Sequence, residues 1–441
     1  MTWGTPETSK LSGRRADRVR DALQTIIAEI EKNRRSRGEH PAWGQFLDVP
    51  VANRQIGIYG TASAIQLLSH APMGASSAMS AMPTLPGTDL TDAKVAFPAD
   101  DLDLTLKCCS IIEARAALGA RASAVTPVEE VLLASLHTNA DLSLPVPESL
   151  DGAFAGWGFA TNRPGVDFAE VGPELLPTAQ VILALRTSSV ESRVLPGERG
   201  IVSRRLGLAM RWAAQEAVTS LDSTPVECAF TLLAAKTFIA EPGALGMQPE
   251  KLVRQLRKTI KTRLRGIRVT DLPRAEPRFY AVPRSGGNTD NHYVTFPVHY
   301  ILSWALADRM PRRLPRQREI FDVCDQLSQA VRAHGAPVSM ATGRKSITDS
   351  MYAVHLLRTV TARVTAIDSM PLRRHLPHLA AVVGTGLGFL ALLGLAVFAG
   401  IGSVSGDSTE LRGIATFAVG ILPIPAIALA RQSWKLIRRG P

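Results

Sequence analysis

The chain has 441 residues, of which 46% are hydrophobic and 20% charged, and its formal net charge is +11. It can therefore bury a large core. Its excess of basic residues favours anionic partners, such as phospholipid headgroups or nucleic acid. The cysteines show no C-x-x-C spacing, which argues against a paired-cysteine metal or redox motif and favours a reducing compartment. They are Cys108, Cys109, Cys228 and Cys324.

The N-terminal region is predicted to lack a secretory signal, because no apolar run follows its first basic residues. Residues 1–14 are predicted to be disordered. Residues 17–32 then place apolar side chains on one face at helical spacing, which predicts an amphipathic outer helix. These side chains are Val19, Leu23, Ile26, Ile27 and Ile30.

A short sequence pattern recurs at intervals of roughly fifty residues and predicts a helical repeat. It consists of a small residue followed by Ala and, further on, by two Leu residues. The copies are rich in apolar and small residues on every face, as expected of buried inner helices. Residues 73–91, rich in Ala, Ser, Met, Gly and Pro, are predicted to form a mobile loop between repeats. The copies are residues 60–68, 103–112, 177–185, 226–234, 296–306 and 349–357.

Amphipathic outer helices are predicted before three of these copies, at residues 203–220, 249–265 and 317–334. Only residues 268–282 have a weak strand pattern. The alternation of amphipathic and buried helices predicts two layers. The predicted fold is therefore all-α, an (α/α)6 toroid over residues 15–370.

Two segments resemble a known family. Residues 156–159, Gly-Trp-Gly-Phe, with the later Pro177-Thr178-Ala179, are similar to one repeat of the terpenoid cyclase and protein prenyltransferase superfamily. Residues 54–62 resemble a second repeat. The resemblance implies six outer and six inner helices around a central cavity open at one end.

An acidic motif is the first catalytic candidate. Class II terpenoid cyclases use a D-x-D-D-T motif, and residues 101–105 read Asp-Leu-Asp-Leu-Thr, so that Asp101 and Asp103 match while Leu104 does not. By resemblance Asp103 is the proton donor. The alternative is that Asp103 caps a helix N-terminus. An aromatic content of 5% argues against a cyclase, because cyclases stabilise carbocations on aromatic faces.

A zinc site of the prenyltransferase type requires an Asp-x-Cys pair and a distant His. The corresponding stretch here is Val226-Glu227-Cys228, which lacks the Asp. We therefore predict no metal and no cofactor, and we interpret Cys228 as a small core residue.

A third enzymatic hypothesis is a glycan-processing barrel, in which two carboxylates face each other as acid and base. Six carboxylates lie near predicted inner-helix starts, where helix N-termini also favour them for structural reasons. They are Asp101, Asp103, Glu174, Glu227, Asp290 and Asp349. The polar loop of residues 286–293 either covers the same mouth or forms an exposed turn. The predicted ligand or mouth residues are Trp157, Glu174, Glu227, Asp290, His292 and Asp349.

Basic residues crowd the helix predicted at residues 249–265 and its end. A solvated outer face is one interpretation, and attraction to anionic lipid is the other. Nucleic acid is an unlikely partner, because no nucleic-acid-binding motif accompanies the charge. The basic residues are Lys251, Arg254, Arg257, Lys258, Lys261, Arg263, Arg265 and Arg268, and the predicted buried stripe is Leu252, Val253, Leu256, Ile260 and Leu264.

The C-terminal region, residues 371–441, is predicted to be a transmembrane hairpin with spans at about 379–402 and 413–430. Basic residues flank both ends, so the positive-inside rule places both termini in the cytoplasm and the protein in the inner membrane as a multi-pass protein. Gly384 and Gly388 have G-x-x-x-G spacing, which fits packing within the hairpin or a homo-oligomer.

These patterns together predict a membrane-anchored cytoplasmic protein that binds an unknown small molecule or protein. Its role would be that of a non-catalytic sensor or scaffold, by analogy in bacterial signalling or defence. The alternative is a terpenoid cyclase-like, prenyltransferase-like or glycan-processing enzyme with a degenerate acidic motif.

Overall fold

A computed structural model describes residues 6–37, 39–49, 57–70, 74–86, 104–119, 124–141, 150, 152–159, 173–240, 245, 247–272, 279–282, 292–307, 315–340 and 342–368. Residues 1–364 form one compact unit, and the fold is described for this unit.

The described chain is mostly helical, in agreement with the all-α prediction. Its twelve α-helices are α1 Pro6–Lys32, α2 Ile58–Leu68, α3 Ala75–Ala81, α4 Leu104–Ala117, α5 Pro127–Ala134, α6 Leu175–Thr187, α7 Pro196–Thr219, α8 Pro225–Thr237, α9 Pro249–Arg263, α10 Val298–Leu306, α11 Pro315–His334 and α12 Ile347–Asp368.

Six of these helices contain the recurring small and apolar pattern, and we call them the inner layer. Along the chain α2 packs on α4, α4 on α6, α6 on α8 and α8 on α10. Every residue of α6 from Leu175 to Leu185 is buried, as expected of a helix covered on all sides. The inner helices are α2, α4, α6, α8, α10 and α12.

We call the longer helices between them the outer layer. Helix α7 packs on α6, α8 and α9, and α1 packs on α11. The three outer helices predicted from the sequence correspond to α7, α9 and α11, and α7 begins seven residues earlier than expected, at Pro196. Proline is well tolerated in the first helical turn, where its missing N–H has no intrahelical partner.

Two predictions of irregular chain are wrong in part. Residues 6–14, inside the stretch predicted to be disordered, belong to α1, which starts at Pro6. Residues 75–81, inside the predicted mobile loop, form α3, in which Ala78 and Ala81 are buried. The small side chains that suggested a loop instead permit close packing of this helix.

Three short antiparallel hairpins interrupt the helices, and the sequence patterns indicated only part of the third. They pair β1 Arg35–Arg37 with β2 His40–Ala42, β3 His137–Thr138 with β4 Ala155–Gly156, and β5 Phe279–Val282 with β6 His292–Thr295. Each hairpin lies between an outer helix and the next inner helix.

The first two hairpins lead directly into tryptophans with the same hydrogen bonds. The indole of Trp43 donates to the carbonyl of Ile30 near the end of α1 (2.9 Å), and its backbone N–H donates to the hydroxyl of Thr61 on α2 (3.2 Å). Trp157 donates equivalently to Leu132 near the end of α5 (2.6 Å) and to Thr178 on α6 (2.8 Å). The two arrangements are copies of one structural unit, which joins an outer helix to an inner one.

None of the helices in the described ranges is both long and apolar enough to span a bilayer. The two predicted spans, residues 379–402 and 413–430, lie outside the described residues, as do Gly384 and Gly388.

Candidate functional site

The predicted mouth residue Trp157 is 1% exposed, and its indole and backbone N–H groups are both engaged. The structure therefore places it as an anchor between α5 and α6, with no free surface for a ligand. Thr105, at the end of the acidic motif, donates to the carbonyl of Gly158 (2.7 Å) and so ties α4 to the same segment.

Glu227 and Glu174 lie at the N-terminal ends of neighbouring inner helices. Glu227 closes a capping box with Thr224, accepting its backbone N–H (2.7 Å), and Glu174 accepts the backbone N–H of Phe159 (3.1 Å). Both carboxylates therefore serve the local backbone.

Burial raises the pKa of both carboxyls above the ordinary value. The negative charge of Glu227 raises the pKa of Glu174 further. These two members of the predicted carboxylate set are therefore close enough to interact.

Asp349 lies in the first turn of α12 and is 6% exposed. Its backbone N–H donates to the hydroxyl of Ser346 (3.1 Å), and burial raises the pKa of its carboxyl to about 6. Its charge also contributes to the raised pKa of Tyr300 on α10. Asp349 is therefore a buried carboxyl between two inner helices.

The remaining predicted residues cannot be placed in a site. Asp101, Asp103 and Asp290 lie outside the described residues, although α4 begins at Leu104, directly after Asp103. His292 is the first residue of β6, and its side chain lies outside the described part.

A polar cluster that sequence reasoning missed lies toward the C-terminal ends of α2 and α4. The Nε2 of Gln66 on α2 donates to the backbone carbonyl of Ser110 on α4 (3.4 Å), and the same side chain is close enough to Glu113 on α4 to lower the pKa of its carboxyl. The oxygen of the same amide is 3.5 Å from the imidazole Nε2 of His355 on α12. Three inner helices thus contribute one polar side chain each to a shared network.

This network continues to the molecular surface. His70, just after α2, accepts a hydrogen bond at Nδ1 from the exposed guanidinium of Arg358 on α12 (2.7 Å). The rings of His70 and His355 meet edge to face at 6.0 Å. We call Gln66, His70, Glu113, His355 and Arg358 the polar cluster.

Aromatic side chains line the adjoining part of the inner layer. Trp304 stacks on His355 with ring centroids 4.7 Å apart, and Tyr352 lies between Trp304 and the pair Phe230 and Phe296. We call Phe230, Phe296, Trp304 and Tyr352 the aromatic wall. It presents apolar faces beside the polar cluster.

Burial dominates the electrostatics of the polar cluster. It raises the pKa of Glu113 to about 7, partly offset by the hydrogen bond from Gln66. Burial, followed by the positive charge of Arg358, lowers the pKa of His70 to about 4. Burial, then His70 and Arg358, lowers the pKa of His355 to about 3. At neutral pH both imidazoles are therefore neutral, and Glu113 is present in both its protonated and its ionised form.

Hydrogen-bonding capacity in the inner layer is not fully used. Because His70 Nδ1 accepts from Arg358, its Nε2 carries the hydrogen, and this buried Nε2 has no partner in the described chain. The same holds for Gln180 Nε2 on α6 and Ser303 Oγ on α10. Buried polar groups without partners are rare in folded proteins.

The side chains of Glu113 and His355 are deeply packed and yet partly exposed to solvent. Both are surrounded deeply enough for large pKa changes, and yet part of each side chain remains accessible to solvent. Each of these side chains is therefore packed among its neighbours and still reached by solvent. The cluster could therefore donate hydrogen bonds to a bound molecule and exchange one proton with it.

Comparisons with protein-family models, with curated proteins and with solved structures found no match to this chain.

A signal for the polar cluster does exist in the sequence. Gln66, Glu113 and His355 are each a single polar residue inside an apolar stretch of an inner helix, for example Ile111-Ile112-Glu113. A lone polar side chain at a core position must have a partner, which makes such positions candidates for a shared site.

Proposed function

We propose that this chain is a membrane-anchored binding protein whose helices close into an α/α toroid, and that its inner layer holds a small organic molecule. The observation that carries the binding proposal is that three inner-helix segments hold buried polar atoms without a hydrogen-bond partner in the described chain: His70 Nε2, Gln180 Nε2 and Ser303 Oγ. Such a set suits a ligand with hydrogen-bonding groups on an apolar body.

The ring closure is supported by contacts between the ends of the described unit. His355 and Arg358 on the last inner helix approach Gln66 and His70 of the first. Helix α11 packs on α1, where the guanidinium of Arg18 is 3.7 Å from the carboxylate of Asp325. An open stack of repeats would leave these end faces uncovered.

The membrane anchor rests on the sequence. Residues 379–402 and 413–430 contain enough apolar residues for two spans, and their basic flanks favour cytoplasmic termini and an inner-membrane location. The proposed role is that of a sensor or scaffold, in which ligand binding by the toroid is reported by a unit held at the membrane.

Native mass spectrometry of the full chain, released from lipid nanodiscs, tests the binding proposal. The wild-type protein should carry a stoichiometric small molecule, and Trp304→Ala should lose it because the aromatic wall is interrupted. Trp212→Ala on α7 is the matched control and should retain it. Equal ligand occupancy in both variants, or an empty wild-type protein that no metabolite fraction stabilises, contradicts the proposal.

One observation favours an enzyme as the second candidate. Glu113 has a pKa of about 7 and lies beside aromatic residues, which is the environment of a general acid that protonates an apolar substrate. In that case Glu113, rather than Asp103, would donate the proton. Glu113→Gln would then abolish turnover of the copurified compound while leaving its binding intact, whereas a binding protein would show no turnover in either form.

A further inference from the structure

Helix α9 presents a continuous basic face. Lys251, Arg254, Lys258, Lys261 and Arg265 follow one another at intervals of three or four residues, so they lie on one side of the helix, and all five are exposed. The opposite side is buried as predicted from the sequence, through Leu252, Val253, Leu256, Ile260 and Leu264.

These five cations have no salt-bridge partner within the described residues. The nearby Arg268 differs, because it pairs with Asp322 on α11 (3.1 Å). Two exposed carboxylates adjoin the face, Glu250 at the start of α9 and Asp222 in the α7–α8 turn. The excess of positive charge is therefore available to an external anionic partner.

Two large apolar side chains protrude near the C-terminal end of α9. Leu221 in the α7–α8 turn is 94% exposed, and Ile267 just after α9 is 38% exposed. Arg263 holds the α7–α8 turn against the end of α9 by donating to the carbonyls of Leu221 (3.3 Å) and Ala217 (3.2 Å). Leu221 is thus fixed near the end of the helix that carries the basic face.

We propose that the basic face of α9, together with Leu221 and Ile267, docks on an anionic lipid surface. This inference rests on the proposed membrane anchor, which would keep the unit close to a bilayer. Basic side chains attract acidic headgroups, while protruding Leu and Ile side chains insert into the interface. A nucleic acid is a poorer fit, because the protruding groups are aliphatic and provide no stacking surface for bases.

A fluorophore at position 221 reports docking in the full chain. The four native cysteines are buried, so Leu221→Cys directs an environment-sensitive thiol dye to this site. Dye emission should shift to the blue in phosphatidylcholine membranes containing one part in three of phosphatidylglycerol, and not in phosphatidylcholine alone. The shift should decrease with salt, because the attraction is screened.

Charge variants in this labelled background test the basic face. Each basic residue near an anionic membrane raises the binding equilibrium constant by a factor of slightly more than about five. The double variant Lys258→Gln with Lys261→Gln should therefore lower the docking equilibrium constant about thirtyfold. The matched control, Lys32→Gln with Arg332→Gln, removes two exposed charges from α1 and α11 and should leave docking unchanged.

The outcomes separate the docking surface from the anchor. Equal emission in the two membranes, equal effects of the two double variants, or a dye response to a 20-base-pair DNA duplex that lipid does not elicit overturns the docking surface. Extraction of the protein from membranes by alkaline carbonate overturns the anchor, whereas an anionic-lipid-dependent dye shift in such a protein still supports the docking surface.

Discussion

At the scale of single residues, the carboxyl of Glu113 makes one defined contribution to the expected pH dependence of stability. Its pKa in the folded protein, about 7, is above the ordinary 4.5, so the folded state holds a proton that the unfolded state releases. The resulting stabilisation is complete below about pH 4.5 and is lost as the pH rises to 7. Glu113→Gln should remove this dependence.

Chemical unfolding of the two proteins at pH 4 and pH 8 measures the effect. From pH 4 to pH 8, the unfolding free energy of the wild-type protein should fall by about 1–3 kcal/mol more than that of the Gln variant. Glu130→Gln on α5 changes an exposed carboxyl and should show no such difference. Parallel pH profiles for wild type and Glu113→Gln would show that Glu113 is not buried as a neutral acid.

The indole hydrogen bonds of the two tryptophan anchors, Trp43 and Trp157, are also expected to stabilise the fold. Trp43→Phe and Trp157→Phe each keep an aromatic ring but remove the indole donor from the carbonyl of Ile30 or Leu132, which retains one other donor, the N–H of Asn33 or the hydroxyl of Ser135. Each variant should lose about 0.5–1.5 kcal/mol of unfolding free energy through the lost hydrogen bond. Trp212→Phe changes a partly buried ring of α7 and should cost less; equal losses in all three would assign the effect to ring packing alone.

At the scale of elements, the glycine at the start of α2 controls how closely this helix approaches the Trp43 segment. A Cβ at Gly60 would be 2.5 Å from the carbonyl carbon of Gly44 and 2.6 Å from the oxygen of Trp43, which are backbone atoms that cannot rotate away. Gly60→Ala should therefore displace α2 and destabilise the protein by about 1–3 kcal/mol. Thermal unfolding measures this.

Gly57, the N-cap residue of α2, is the matched control. A Cβ at this position meets nothing within 4 Å, and its φ of −123° is accessible to any residue, so Gly57→Ala should leave the melting temperature nearly unchanged. A comparable loss in both variants would show that the close approach at Gly60 does not determine the effect, since Ala is a better helix former than Gly.

The helices could be predicted from the sequence, whereas the first two hairpins and the grouping of the polar cluster could not. Helical periodicity is visible over the length of α9, and its buried stripe is confirmed residue by residue. The two-residue strands β3 and β4 are too short to show alternation. Gln66, Glu113 and His355 are far apart in the sequence, and only the packing of α2, α4 and α12 brings them together.

For the predicted carboxylates, the sequence likewise indicated the position along a helix but not the hydrogen-bond partner. Proximity to helix N-termini was correct for Glu174 and Glu227, because the requirement of free N–H groups is local. Their engagement with Phe159 and Thr224 depends on loop geometry, which no periodic pattern encodes.

At the scale of the whole molecule, a closed ring and an open stack of repeats respond differently to a defect in the last inner helix. Leu356 on α12 is fully buried, and Leu356→Ala should cost about 2–5 kcal/mol. In a ring, the loss spreads to both neighbours of α12, which are α10 through the Trp304–His355 stack and α2 through the His355–Gln66 contact. In an open stack α2 is the most distant inner helix and is unaffected.

Hydrogen exchange of the full chain, read by mass spectrometry, distinguishes the two architectures. Leu356→Ala should increase exchange in α2, residues 58–68, as well as in α10, residues 298–306. Leu232→Ala, an equally buried site on α8, is the control and should increase exchange in α6 and α10 while α2 stays protected. Unchanged protection of α2 in Leu356→Ala would argue for an open array, because the contacts of His355 and Arg358 with α2 would then carry no stability.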